Sequence, residues 1–197
     1  MSAEIYLLRH SETEWNAAKR FQGRLDSPLT HRGRDQAAQL GRALAAALGS
    51  RPALPMHVSP LGRARETAAI VGRHFLGFGP LVSEPRLQEV SMGSWEGLTR
   101  AEVEARWPGL LDGASRSDWY FRSPDGESYP DAIGRVRAWL EGLDGPVVAV
   151  SHGLLGRLVR GAWLDLPKED ALALPVPQDM VWHLSLAGVC PLPAHAP

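Results

Sequence analysis

The sequence is short of the features that mark several classes of protein. It has a single cysteine, Cys190, among 197 residues, which excludes an internal disulfide framework and suits a reducing compartment. No apolar run approaches the roughly 20 residues that cross a membrane, and no charged and then apolar leader opens the chain. We therefore expect a cytoplasmic protein with no membrane partner.

An excess of charge of one sign is also missing. The chain carries 21 basic and 22 acidic side chains, so its charge gives no reason to expect nucleic acid as a partner. There is no HExxH, no paired-cysteine spacing, no lysine in a Walker loop and no G-x-S-x-G elbow. "GFGPLV" (77–82) lacks the third glycine of a dinucleotide fingerprint. We expect neither a metal nor a cofactor.

Strand and helix patterns alternate along most of the chain. Short apolar runs predict strands at 4–9, 54–59, 146–151 and 180–186. Cap residues and apolar spacing predict helices from Thr30 to Gly49, from Ser59–Pro60 to about 75, from Ser128 to about 143, and from about 153 to 164. This alternation predicts the α/β class, as a three-layer α/β/α sandwich around a mostly parallel sheet.

The alternation stops between residues 87 and 129. Glycines, prolines and aromatic residues crowd this stretch, and its one short helix is predicted from a capping box formed by Thr99 and Glu102. We interpret 87–129 as a cap inserted into a single domain that covers 1–197. The last residues, from about 190 to 197, are expected to form a loose tail.

Charged and polar side chains follow the predicted strands. Arg9 and His10 end the first strand, Arg63 lies in the first turn after the second, and His152 ends the strand at 146–151. The carboxyl ends of parallel strands meet at one edge of a sheet, where ligands of such folds bind. We therefore expect two guanidiniums and two imidazoles to share one site.

This set of side chains suits phosphoryl transfer. Guanidinium groups match the oxygens of a phosphate dianion, and a neutral imidazole, here His10, is a nucleophile that can attack phosphorus. Arg9, Arg63 and a protonated His152 could stabilise the equatorial oxygens without a metal. Glu89 is the candidate acid for the leaving group, provided that burial raises its pKa toward neutrality.

Six blocks in order carry a resemblance to a known family. They are "LLRHSETEWN" (7–16), "FQGRLDSPLT" (21–30), "SPLGRARETA" (59–68), "LQEVSMGSWEGLT" (87–99), "DGES" (125–128) and "VSHG" (150–153). Together they resemble the histidine phosphatase superfamily, in its phosphoglycerate mutase-like branch. The resemblance implies that His10 becomes a phosphohistidine and that Glu89 donates a proton and later takes one from water.

The same resemblance implies the remaining binding residues. The phosphoryl group would be held by Arg9, Asn16, Arg63 and His152, and the substrate would lie near Gln22, Gly23 and Gly153. Ser11 stands where family members usually have glycine, and we place it among the substrate-binding residues. If the backbone there needs a positive φ, serine brings a strain of about 1 kcal/mol; otherwise its hydroxyl can reach the phosphate.

The cap bears on the choice between phosphatase and mutase. The mutases of this branch carry a longer cap, in which a lysine and paired arginines hold the carboxylate of the substrate. Here no lysine lies between Glu89 and His152, and Arg116 and Arg122 are separated. We therefore expect a phosphatase for a small phosphorylated metabolite. A cofactor-dependent phosphoglycerate mutase and a non-catalytic phospho-ligand binding module are the alternatives. The substrate stays open, as does a homodimer.

Overall fold

A six-stranded sheet forms the centre of the protein, of which this computed structural model describes residues 4–74, 79–114 and 118–194. Its strands are β1 (Ile5–Arg9), β2 (Met56–Val58), β3 (Leu81–Ser83), β4 (Val147–Ser151), β5 (Met180–Ser185) and β6 (Gly188–Pro193), in the spatial order β3-β2-β4-β1-β5-β6. The first four in this order pair in parallel, and β5 and β6 add antiparallel pairs at one edge. The prediction of a mostly parallel sheet is confirmed.

Helices cover both faces of this sheet. In the described residues they are α1 (Glu14–Ala17), α2 (His31–Leu48), α3 (Gly62–Gly72), α4 (Arg100–Arg106), α5 (Tyr129–Glu141), α6 (Gly153–Trp163) and α7 (Lys168–Ala173). Thr30 caps α2 by accepting from Gly33 N, and Ser128 caps α5 by accepting from Asp131 N. Both caps are as predicted.

Two cores, one on each face, hold the layers together. Alternate residues of β1 belong to different cores, because successive side chains of a strand point to opposite faces. Ile5 and Leu7 pack with α5, α6 and α7, whereas Tyr6 and Leu8 pack with α2 and α3. The predicted α/β/α sandwich is thereby confirmed.

The start of α3 differs from the prediction. Ser59 does not cap this helix, which begins three residues later at Gly62. Its hydroxyl instead lies 2.7 Å from Nε2 of His152. The carboxylate of Asp26 caps α3 from 36 residues away, by accepting from Gly62 N and Arg63 N. A tertiary contact has taken the place of the local cap. The predicted helix end near 75 lies outside the described residues.

The cap has a small core of its own. Met92, Trp95, Val103 and Trp119 form a third buried cluster. Helix α4 begins at the predicted capping box, in which Thr99 accepts from Glu102 N while the carboxylate of Glu102 accepts from Thr99 N. This cluster holds the cap over the carboxyl edge of the sheet.

Two elements at the edges of the sheet were not predicted. The expected loose tail is wrong for residues 190–193, because they belong to β6, which pairs along β5 from Gly188 to Pro193. Strand β3 has only three residues, all of them exposed, so it lacks the longer buried apolar run that marks the central strands. Residues 195–197 lie outside the description. Among the described residues, no helix is long and apolar enough to cross a bilayer.

Candidate active site

A cavity of about 150 Å³ opens where β1 and β4 end, beneath the cap. Arg9 and Ser151 are paired in register, so the residues that follow both strands reach the same edge. The cavity is lined by Arg9, His10, Asn16, Arg20, Phe21, Gln22, Gly23, Arg63, Glu89, Val90, Met92, Tyr120, Gly153, Leu154, Arg157 and Val176. Eight of the residues expected at the site are in this set.

His10 is buried and held in one orientation. Its backbone N–H donates to Ser151 O at 2.8 Å, and its ring Nδ1 lies 2.8 Å from Ser11 O. A carbonyl oxygen can only accept, so Nδ1 carries the proton and Nε2 keeps its lone pair. Burial, with the nearby guanidiniums of Arg63 and Arg9, lowers the pKa of His10 well below its ordinary value. The imidazole is therefore neutral at pH 7.

His152 lies beside His10, with 5.2 Å between the ring centroids, but it does not line the cavity. Its Nε2 contacts the hydroxyl of Ser59 at 2.7 Å. Burial, followed by the charges of Arg63, His10 and Arg9, lowers the pKa of His152 well below its ordinary value. Without a bound anion His152 is therefore neutral, because burial and then the nearby charges disfavour its protonated form; its protonation during phosphoryl transfer stays a prediction.

Arg63 is fixed by the loop that follows α1. Its Nη1 donates to Leu25 O at 2.7 Å and to Asp26 Oδ1 at 3.0 Å. Its Nη2 donates to Gly23 O at 2.8 Å. Gly23 has φ +51°, and a Cβ there would lie 2.1 Å from Oε1 of Glu96. Glycine is therefore required at 23 for both the turn and the close approach of the cap.

Arg9 passes close to the start of α6. A Cβ on Gly153 would lie 3.3 Å from the Arg9 guanidinium, so glycine at 153 gives Arg9 its room. Arg9 Nη1 donates to Val176 O at 2.6 Å. In the described part of the chain, no hydrogen-bond partner lies near the buried Nε atoms of Arg9 and Arg63 or near Nδ1 of His152. The cluster thus contains buried polar nitrogens that no described group of the protein satisfies.

Asn16 and Gln22 border the cavity through α1 and its loop. Asn16 closes a capping box with Thr13, whose backbone N donates to Asn16 Oδ1 at 3.2 Å. Gln22 Nε2 donates to the hydroxyl of Thr13 at 2.8 Å. One threonine therefore orients two side chains of the cavity wall.

Glu89 faces the cavity from the start of the cap. Its carboxylate accepts from three backbone amides, those of Val90 at 3.0 Å, Leu154 at 3.1 Å and Leu155 at 2.9 Å. Leu154 and Leu155 lie in the first turn of α6, where unpaired N–H groups and the helix dipole favour a negative charge. These bonds fix a carboxylate in the wall of the same cavity that Arg9 and Arg63 line.

Ser11 does not line the cavity. It is buried, its backbone N donates to Thr67 Oγ1 at 3.1 Å, and its hydroxyl has no partner among the described residues. In the described chain the non-glycine residues with positive φ are Lys19 and Asp165, so serine at 11 brings no such strain. The carbonyl of Ser11 contributes to the site by fixing the ring of His10, and a contact of its hydroxyl with substrate stays a prediction.

The wall also contains side chains that the motifs do not single out. Arg157 lies with its guanidinium 5.6 Å from the ring centroid of Tyr120, and its Nη1 donates to the tyrosine hydroxyl at 3.3 Å. Arg20 donates to Gly97 O at 2.7 Å and pairs with Glu102 at 2.8 Å. Arg157 follows Gly153 by one helical turn, a spacing that points it to the same edge as the "VSHG" block and could have indicated it.

Of the two arginines considered for the cap, Arg122 does not line the cavity. Arg122 donates to Asp112 O at 3.2 Å and lies 3.8 Å from a carboxylate oxygen of Asp118, which also pairs with Lys168 at 2.6 Å. Arg116 lies outside the described residues. Within the described ranges, no three His, Cys, Asp or Glu residues are grouped as metal ligands would be.

Comparison with known proteins places this geometry in a family. Residues 5–189 match the model of the histidine phosphatase superfamily (branch 1). A protein of Photorhabdus laumondii named "Probable phosphoglycerate mutase GpmB" is 41% identical over 175 residues, which are 83% of this chain and 76% of the relative. The "Glucosyl-3-phosphoglycerate phosphatase" of Mycolicibacterium vanbaalenii is 35% identical over 178 residues, 84% of this chain and 76% of the relative.

A solved structure gives the same result for the fold. The mycobacterial glucosyl-3-phosphoglycerate phosphatase in complex with VO3 superposes with a TM-score of 0.76 at 31% identity, covering 95% of this chain and 96% of that one. The similarity includes nearly the whole length of both proteins.

The buried neutral histidines predict that stability depends on pH. Their pKa values are lowered in the folded state, whereas an unfolded histidine titrates near pH 6.5. Below that pH the unfolded chain binds protons that the folded chain refuses, so stability present above pH 6.5 is lost as the pH falls. Each such histidine contributes at most about 1.4 kcal/mol per pH unit.

We expect the unfolding free energy, measured by urea titration, to fall between pH 7 and pH 5. The fall should be smaller in His10→Asn, which removes one titrating group and retains an N–H for Ser11 O. The exposed His31→Asn variant, whose side chain is 95% accessible, is the matched control. Equal pH slopes for the wild type and His10→Asn would contradict a lowered His10 pKa.

Proposed function

We propose that this chain, which belongs to the histidine phosphatase superfamily (branch 1), hydrolyses a small phosphomonoester through a phosphohistidine formed on His10. One observation carries the proposal. The buried His10 is neutral, with its proton on Nδ1 and a lone pair on Nε2, and it shares a cavity with Arg9 and Arg63. This combination supplies a nucleophile and fixed positive charge, the two things that phosphoryl transfer needs most.

In the first step, Nε2 of His10 attacks phosphorus as the bond to the ester oxygen breaks. Arg9 and Arg63 stabilise the charge on the equatorial oxygens. The leaving oxygen takes a proton from Glu89 and departs as an alcohol. Glu89 accepts from three backbone amides, and the proton that it donates enters with the substrate: a phosphomonoester has its second pKa near 6, so its monoanion can pass one to Glu89.

In the second step, water attacks phosphorus and the nitrogen–phosphorus bond breaks. The carboxylate of Glu89 takes a proton from the water and passes it to the departing phosphate, which carries the oxygen that water supplied, so Glu89 is again a carboxylate. His10 returns to its neutral form with Nδ1 still donating to Ser11 O. His152 stays neutral until an anion is bound, and a nearby dianion then favours its protonated form.

The outer wall of the cavity bears on the leaving group. Arg157 and Tyr120 form one side of it and Arg20 and Phe21 another, so we propose a polar leaving group that carries hydroxyls or a negative charge. The relatives named for glucosyl-3-phosphoglycerate act on a substrate of this kind. A small phosphorylated metabolite fits the size of the cavity.

A mutase is the second candidate, favoured by the 41% identity to the relative named as a phosphoglycerate mutase. The cap argues against it, since Arg122 pairs with Asp118, which also pairs with Lys168 of α7, and none of the three lines the cavity. In a mutase the phosphoenzyme must hold the dephosphorylated product so that the phosphoryl group can return to it. With fewer cationic contacts from the cap, the product is released and water hydrolyses the phosphohistidine.

The products separate these two candidates. With 3-phosphoglycerate and a trace of the bisphosphate, we expect inorganic phosphate to appear at least as fast as 2-phosphoglycerate, as followed by phosphate release and 31P NMR. Rapid formation of 2-phosphoglycerate without inorganic phosphate would replace the phosphatase with a mutase.

Replacing the nucleophile separates an enzyme from a binding module. His10→Ala should lower phosphate release from p-nitrophenyl phosphate by more than about 1,000-fold, because no other group can form the covalent intermediate. The exposed His31→Ala should keep wild-type activity. A His10→Ala protein with activity close to that of the wild type would overturn the mechanism, and a wild type without turnover on any phosphomonoester would favour the binding module.

Activity should also survive a chelator. The guanidiniums supply the positive charge that a metal ion provides in other phosphatases, so we expect kcat/KM to be unchanged after dialysis against EDTA. The measurement is phosphate release before and after chelation, with a zinc-dependent phosphatase as a positive control. A loss of activity that added metal restores would contradict a metal-independent site.

A further inference from the structure

The segment Leu174–Gln178, "LPVPQ", connects α7 to β5 alongside the cavity. Pro175 and Pro177 have no N–H, and each favours an extended conformation in the residue before it. Leu174 shows this, with φ -57° and ψ 140°. The alternating prolines therefore keep the segment extended. Because they lack backbone N–H donors, the segment has more carbonyl oxygens that accept hydrogen bonds than N–H groups that need an acceptor.

Three successive carbonyls of this segment hold three arginines. Leu174 O accepts from Arg157 Nε at 2.6 Å, Pro175 O accepts from Arg160 Nη2, and Val176 O accepts from Arg9 Nη1 at 2.6 Å. In the described residues, none of these guanidiniums lies within 4.0 Å of a carboxylate. A carbonyl dipole fixes a cation without cancelling its charge, so Arg9 stays fully charged toward the cavity.

The guanidiniums are charged although they are close together. Burial and the charge of Arg157 lower the pKa of Arg160 to about 10, which still leaves it protonated at neutral pH. Its guanidinium also lies 4.1 Å from the ring centroid of Trp182, a favourable cation–π contact. The segment thus gathers positive charge beside the cavity and accepts one hydrogen bond from each of the three arginines.

The last residue of the segment, Gln178, contacts Asn16. Gln178 Nε2 donates to Asn16 Oδ1 at 3.0 Å, and Thr13 N donates to the same oxygen at 3.2 Å. Because Oδ1 accepts from both donors, the NH2 group of the Asn16 amide is the one that can face the cavity, which Asn16 lines. A flipped amide would present an oxygen to a phosphate and repel it.

We propose that Leu174–Gln178 is the positioning element of the phosphate site, in which Val176 O orients Arg9 and Gln178 orients the amide of Asn16. Gln178 does not itself line the cavity, so it is a positioning residue. Its Nε2 also donates to His10 O at 3.4 Å, a longer bond than the one to Asn16. A double-mutant cycle with Asn16 separates these two contacts. The inference rests on the proposed function only in taking the cavity to bind a phosphoryl group or its analogue.

The test uses orthovanadate and inorganic phosphate as probes, with affinity measured by calorimetry on the full chain. Gln178→Met keeps the size of the side chain, removes the donor and adds no charge. We expect its Kd for both anions to rise roughly 10-fold, the size expected for one hydrogen bond to a charged group. Its Tm should stay within about 2 °C of the wild type, as expected for a small change in stability. Gln39→Met, on α2, is the matched control.

A double-mutant cycle shows whether Gln178 acts through Asn16. In an Asn16→Ala background, Gln178→Met should cause no further loss of affinity. Equal losses in both backgrounds, or wild-type affinity in Gln178→Met, would overturn the positioning role.

A second variant keeps the test decisive if Gln178→Met folds poorly. Gln178→Glu offers Asn16 an acceptor in place of a donor, so it should flip the amide and weaken anion binding more than 10-fold. In the Asn16→Ala background, Gln178→Glu should weaken anion binding only by the smaller effect of its added negative charge. An equally large loss of affinity in that background would contradict the inference.

If the wild type binds neither anion, the proposed function fails and this inference fails with it. If the wild type binds them and neither Gln178 variant differs from it, this inference alone fails.

Discussion

The hydrogen bond from His10 Nδ1 to Ser11 O is the interaction on which the rest of the site depends. It decides which ring nitrogen keeps a lone pair, and it lies within two consecutive residues at the end of β1. Burial beside Arg63 and Arg9 then keeps the ring neutral. Without this bond the imidazole could take the other tautomer, and the same cluster of arginines would surround a ring with its N–H toward phosphorus.

The site gathers cations that a folded protein would ordinarily separate or neutralise. Arg63 has a carboxylate partner in Asp26, whereas Arg9 is held by a backbone carbonyl. Buried nitrogens without partners among the described residues make an unfavourable contribution to the free energy of folding. Two well-packed cores, one on each face of the sheet, offset this. Stability is lost at the site in return for affinity toward an oxyanion, as is common where function sets the local structure.

The sequence predicted the parts of this arrangement that follow from strand ends. An apolar run that stops at Arg9 and His10, and another that stops at His152, must deliver these residues to one edge of a parallel sheet. It did not predict the contacts in which a residue distant in sequence replaces a local partner. Ser59 has a good local signal for a helix cap, yet its hydroxyl contacts His152, and a carboxylate distant in sequence caps the helix instead. Gln178 lies in an irregular proline segment without periodicity or motif, so only the folded chain shows that it meets Asn16.

The tautomer of His10 is the most direct test of the account, and long-range 1H–15N NMR of histidine-labelled protein at pH 7 measures it. The His10 signals are assigned by their loss in a His10→Asn sample. The account predicts a neutral ring with a protonated Nδ1 and an unprotonated Nε2. A His10 protonated on Nε2, or on both nitrogens, in the protein without ligand would contradict it, because Nε2 would then have no lone pair with which to attack phosphorus.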